Sequence, residues 1–219
     1  RCAGGNRILN GYMKPQDIEK RSFEIITAEL GERTFPAGIA EVVKRVIHTT
    51  ADFDYADSLA FSPDVIEKAK AALAAGATVV TDTNMALSGV SKVTLAKLGG
   101  KAVCLMADEQ VASEAKARGV TRAVVSMEHA AKFEGPLIFA IGNAPTALIR
   151  LHELIEEGIV APALIIGVPV GFVNVVEAKE LFIGGDTPYI IARGRKGGSN
   201  VAASIVNALL YQMVHREGF

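Results

Sequence analysis

Among the four histidines, His48 is the one best suited to proton transfer. It follows Lys44 by four residues and Arg45 by three, so in a helix the three share one face. It also closes an amphipathic stretch, where the helix dipole favours the charged imidazole. The two cations oppose the dipole and lower the affinity of His48 for its proton. An anionic ligand arriving on that face would cancel the repulsion, so the triplet could hold an acid beside a proton donor. The alternative is a histidine that serves only as a helix C-cap. His129 follows a strand-length run, His152 lies in a helical stretch and His215 is near the C-terminus; no pair has zinc-site spacing, so no metal ligand is expected. No Gly-x-Ser-x-Gly elbow occurs, which argues against a hydrolase of that type.

A second centre of chemistry is Gly194-Arg195-Lys196-Gly197-Gly198-Ser199, two cations and three glycines just ahead of a helical stretch. Backbone N–H groups and positive charge in that arrangement suit an anion. The loop has neither the spacing of a Walker A motif nor that of a dinucleotide fingerprint. The alternative is a solvated turn carrying two surface cations. Asp52, Asp54 and Asp57 read as a solvated loop, with capping or lid contacts as the other possibility.

The elements that must position these residues follow from periodicity. A helix opens at Lys14-Pro15 and stops at Gly31; a second follows Pro36 and ends near His48-Thr49-Thr50; a third runs from Ser62-Pro63-Asp64 to Ala75. Strand-length apolar runs occupy 77–81, 102–106, 122–126, 137–141, 163–168 and 189–192. Helical stretches at 90–98, 108–117, 144–156, 173–182 and 199–214 separate or follow them. Continuous apolar strands alternating with helices indicate an α/β fold: a single doubly wound domain with a mainly parallel sheet and helices on both faces. In such sheets ligands bind beyond the carboxyl ends of the strands. That selects Asp82-Thr83-Asn84, the loop from Gly142 to Thr146, the loop from Gly167 to Gly171, and 194–199.

The 219 residues are 50% hydrophobic and 21% charged, with a formal net charge of -1, which leaves no basic field for nucleic acid. No apolar run approaches the roughly 20 residues of a membrane span. Cys2 and Cys104 suggest neither a metal cluster nor a disulfide scaffold, so a reduced, cytoplasmic setting is expected. Residues 1–12 lack periodicity and are expected to be a leader, with a start at Met13 and one domain over 13–219.

Five segments together resemble the precorrin-8 methylmutase family. They are Arg21-Ser22-Phe23-Glu24-Ile25-Ile26, His48-Thr49-Thr50-Ala51-Asp52, Gly142-Asn143-Ala144-Pro145-Thr146-Ala147-Leu148, Gly167-Val168-Pro169-Val170-Gly171-Phe172-Val173 and Gly194-Arg195-Lys196-Gly197-Gly198-Ser199. The resemblance implies migration of a methyl group on ring C of precorrin-8, or of its cobalt form, to the adjacent carbon. It further implies His48 as general acid, no cofactor, and a homodimer with the site near the subunit interface. Ser22 and Arg45 match positions where the family contacts substrate. Further substrate contacts are expected from Lys44, Thr83, Asn143, Thr146, Gly171, Arg195, Lys196, Gly197, Gly198 and Ser199. Ala178 departs from the family pattern, where serine is expected. Two rivals remain: a tetrapyrrole carrier without catalysis, and a nucleotide-dependent oxidoreductase. The latter predicts a glycine-rich turn after the first strand, where this chain has Asp82-Thr83-Asn84-Met85-Ala86.

Overall fold

The computed structural model describes residues 15–214. The expected leader, the start at Met13 and His215 lie outside the described residues. The chain begins with α1 (Pro15–Leu30), α2 (Ile39–Thr50), the short α3 (Tyr55–Ser58), β1 (Leu59–Phe61) and α4 (Val65–Ala74). There follow β2 (Thr78–Thr81), α5 (Asn84–Gly89), α6 (Lys92–Lys97), β3 (Lys101–Val103), α7 (Glu109–Arg118) and α8 (Arg122–Ala130). The remainder is β4 (Leu137–Ile141), α9 (Pro145–Glu156), β5 (Leu164–Gly167), α10 (Val175–Glu180), β6 (Tyr189–Ala192) and α11 (Ser199–Tyr211).

Six strands form one sheet in the order β1-β6-β5-β4-β2-β3. All neighbours are parallel except β1, which runs antiparallel along the β6 edge. Every residue of β2, β4, β5 and β6 is buried. Alternate side chains feed two cores. Ile138, Ala140, Leu164, Ile166 and Ile190 meet α2, α4 and α11, whereas Leu137, Phe139, Ile141, Ile165 and Ile191 meet α8, α9 and α10. A strand covered on both faces has no polar side to alternate with, which is why these segments read as unbroken apolar runs. The doubly wound α/β architecture is as the sequence indicates.

Helix α2, which carries His48 in its last turn, buries Val42, Val43, Val46 and Ile47 against the core. Each such side chain contributes about 1.5–3 kcal/mol on burial. Much of that surface packs on α11, so the position of His48 is set by a helix from the far end of the chain.

Several local readings change, among them the expected strand at 102–106, which is β3 over Lys101–Val103 only. Residues 122–126 are not a strand but the start of α8. Thr121 caps it, its Oγ1 accepting from the Val124 N–H at 3.3 Å, and Ala123, Met127 and Ala130 then recur at helical spacing on the buried side. A short β-branched run has no period of its own that separates strand from helix. Strand β1 was too short to stand out and pairs only at an edge, and the six-residue α5 follows directly on a Thr83 cap.

The chain leaves β2 towards β3 and returns to β4 on the other side of β2. The carboxyl ends of β2 and β4 therefore flank the topological switch point, where ligands of such sheets bind. Here Gly142 lets α11 close on the strand end: a Cβ would lie 2.7 Å from Ser199 Cα and 2.8 Å from the Gly198 carbonyl oxygen. Gly142→Ala is expected to lower the unfolding free energy by about 1–3 kcal/mol in urea denaturation. A loss within experimental error would mean that this close approach does not fix α11.

Candidate active site

At the switch point the Asp82 carboxylate organises the backbone around it. One oxygen accepts the N–H of Gly142 at 2.9 Å, and the other accepts those of Asn143 at 2.8 Å and Ala144 at 2.6 Å. Asp82 is buried, which pushes its carboxyl pKa up, while the three N–H groups pull it back. Next to it, Thr83 Oγ1 accepts from the Ala86 N–H at 3.0 Å and shares a 2.7 Å hydrogen bond with Ser199 Oγ. The Gly198 N–H donates to the Val168 carbonyl at 2.8 Å, and the Gly171 N–H to the Arg195 carbonyl at 3.1 Å. Hydrogen bonds thus join four separate loops, which carry Thr83, Asn143, Gly171, Arg195, Gly197, Gly198 and Ser199; none of these lines the cleft at His48.

His48 lies beside a cleft of about 370 Å³ whose walls include Glu19, Arg45, Thr49, Asn200, Ser204 and Tyr211. Its ring stacks on Phe23, with centroids 5.2 Å apart and planes 17° from parallel. Arg45 Nη1 donates to Glu19 Oε1 at 2.5 Å, and the guanidinium sits 4.7 Å from the Phe23 centroid and 5.3 Å from that of Tyr211. One side of His48 is open to solvent, yet loss of water from the shielded side lowers its pKa. The Arg45 charge lowers it further, and Glu19 acts in the opposite sense. The depression expected from neighbouring charge is present, but its largest cause is desolvation, and Lys44 is not among the contributors.

The sequence and fold are similar to those of known proteins over most of the chain. Residues 17–212 match the family model described as CbiC: Precorrin-8X methylmutase. The chain belongs to this family. A cobalt-precorrin-8 methylmutase of Salmonella typhimurium is 46% identical over 94% of this chain and 99% of its own length. A precorrin-8X methylmutase of Pseudomonas aeruginosa is 40% identical over 89% of this chain and 94% of its own. A solved precorrin-8x methyl mutase from Thermus thermophilus superposes with a TM-score of 0.83 at 39% identity, covering 89% of this chain and 94% of that one.

Not every residue expected at the site of this family member gathers there. Ser22 is half-buried on α1 beside Phe23 and donates to the Ile18 carbonyl at 2.9 Å, but it does not line the cleft. Lys44 also stands outside the lining. Thr146 faces a second cleft of about 410 Å³, with Arg118, Glu128 and Arg150, and its Oγ1 meets Thr121 Oγ1 at 3.1 Å. Lys196 is not a free cation: its Nζ donates to Asp52 and Asp54, each at 2.6 Å, which holds its pKa well above the ordinary lysine value. The acidic run is therefore not simply solvated, since Asp57 is also paired, with Arg33 at 2.7 Å. Arg195 lies 5.3 Å from the centroid of the exposed Phe172 ring. His129 ends α8 and meets Glu114 at 2.7 Å, and His152 lies edge-on to Phe182 at 5.8 Å. Ala178 is fully buried in the α8–α10 core, so its methyl group packs there and faces no cleft.

Sequence reasoning missed Glu19 and one face of α11. Asn200, Ser204, Asn207 and Tyr211 line the cleft at steps of four, three and four residues. That polar stripe on an otherwise apolar helix was a readable signal. Lys179 was also missed.

Two expectations follow. Replacing Asp82 with Asn sets an amide N–H₂ against backbone N–H donors, and should cost about 2–3 kcal/mol of stability in urea; an unchanged midpoint would remove Asp82 from its organising place. In an imidazole proton titration by NMR, His48 should show a midpoint below 6.5. Arg45→Ala should move that midpoint up and Glu19→Gln down. A parent midpoint at or above 6.5 would contradict the shielding described.

Proposed function

We propose that this methylmutase moves a methyl group on ring C of precorrin-8, or of its cobalt form, to the adjacent carbon, with His48 as the general acid. The family makes the chain an isomerase acting within one molecule. One carbon–carbon bond breaks and another forms in the same macrocycle, so no oxidant or reductant enters. The protein's task is to fix the ring and to supply and recover one proton.

The observation that carries the role of His48 is its stack on Phe23 beside the cleft, with Arg45 and Glu19 against it. Desolvation and Arg45 favour the neutral ring in the free protein. A substrate carboxylate entering the cleft would add negative charge and raise the His48 pKa, so the acid is charged when substrate is bound. The paired Arg45 then orients rather than captures. Ser22, Lys44, Thr83, Asn143, Thr146, Gly171, Arg195, Lys196, Gly197, Gly198 and Ser199 are proposed to contact substrate. Support is strongest where backbone donors and small side chains converge, from Thr83 to Ser199 across the strand ends. The exposed Val170, Phe172 and Val173 support a homodimer that covers them, and among the described residues no helix is long and apolar enough to cross a membrane. A cytoplasmic location accords with the reduced setting expected from two unclustered cysteines.

The deciding experiment is anaerobic incubation with precorrin-8 and, separately, with cobalt-precorrin-8, followed by visible absorption. The parent protein should convert at least one to the rearranged chromophore. His48→Ala should lose about 100-fold or more in kcat while retaining binding within a few-fold. Saturable binding without conversion by the parent protein would instead indicate a tetrapyrrole carrier. Conversion unaffected in His48→Ala would remove the general acid.

A further inference from the structure

Lys179 on α10 is fully buried, and no step of the reaction described above uses it. Its Nζ donates to two carbonyls, those of Gly194 and Lys196, each at 2.8 Å. No carboxylate accompanies it among the described residues, and burial lowers its pKa to about 8. A buried cation without a counterion is costly. Its partners are alternate peptides of one loop, the loop that precedes α11.

The chemical consequence lies on the other side of those peptides. The described residues contain no cis peptide bond, and in a trans peptide the N–H points opposite to the carbonyl. Drawing the Gly194 and Lys196 carbonyls towards α10 therefore turns the N–H groups of Arg195 and Gly197 away from it. Neither N–H donates to an acceptor among the described residues, whereas the next one, of Gly198, is used by the Val168 carbonyl. The loop cannot roll to escape this arrangement. Gly197 lies so close against the Val168 carbonyl that it has no room for a Cβ, and Lys196 is held from outside by Asp52 and Asp54.

We propose that Lys179 is a positioning residue for substrate binding, which holds the loop so that the Arg195 and Gly197 N–H groups face outward as a paired donor for a substrate carboxylate. This rests on the reading that the chain binds a polycarboxylate macrocycle. Lys179 touches no substrate itself. Its effect is on affinity, because it fixes donors that act before and during the methyl shift alike.

The test compares parent and Lys179→Met, in which an unbranched apolar chain fills the same space. With the substrate that the parent converts, KM should rise about tenfold while kcat stays within about twofold. In the parent labelled with ¹⁵N, adding hydrogenobyrinate, the metal-free product, should shift the Arg195 and Gly197 amide signals downfield. That second measurement decides the matter if Lys179→Met does not fold. A fall in kcat at constant KM, kinetics equal to the parent's, or amide signals that stay still as product binds would each overturn the proposal. Absence of turnover by the parent is a different failure: it removes the methylmutase reading, while the amide shifts still report whether the loop receives a carboxylate.

Discussion

Three backbone N–H groups converge on one buried carboxylate, that of Asp82, and the rest of the site depends on that convergence. It ties the end of β2 to the start of α9 across the place where the strand order reverses. The adjoining Thr83 is bonded to Ser199, the first residue of α11. Helix α11 in turn packs against α2, whose last turn carries His48. A chain of short polar bonds and then apolar contact thus runs from the sheet to the proposed acid. Each link tolerates little displacement, because buried donors and acceptors are expensive to leave unpaired.

Four cations of α2, α10 and the loop before α11 are already engaged. Arg45 has Glu19 and two aromatic rings, Lys196 has two carboxylates, Arg195 has the Phe172 ring, and Lys179 has two carbonyls. An anionic ligand there would meet cations that already have partners. Under the proposed function, recognition would rest on hydrogen-bond geometry as well as on attraction between charges. Such a surface favours a ligand whose carboxylates are spaced to fit over one that is merely negative.

Much of the architecture was legible because strands covered on both faces leave long apolar runs and helices between them announce themselves with Pro, Thr or Asp at their starts. The 122–126 segment misled because Ala123, Val124 and Val125 suit either state, and only the Thr121 cap and the continuation to Met127 and Ala130 resolve it. At the site, the loops could be chosen by the strand-end rule, yet pairings could not. Nothing local links Lys196 to Asp52, 144 residues apart, or Arg45 to Glu19 on another helix. The same limit applied to Thr146: its place beside Asn143 in the chain suggested a shared surface, but the first turn of α9 aims it at Thr121. Contacts set by tertiary packing leave no periodic trace.

The antiparallel edge strand makes early and late parts of the chain depend on one another. Leu59 pairs with Ala192, and α2 packs most heavily on α11 while also meeting α1 and α3, so the N-terminal segment is anchored in good part by the last strand and the last helix. The immediate neighbours of His48, namely Phe23, Arg45 and Glu19, lie on α1 and α2, whereas the main packing surface of α2 comes much later in the chain, on α11. Without α11 the Val42, Val43, Val46 and Ile47 face of α2 would lack its main packing surface. Closing so long a loop is slow relative to local helix formation. The seat of the proposed acid therefore depends on a contact between distant parts of the chain, that of α2 with α11.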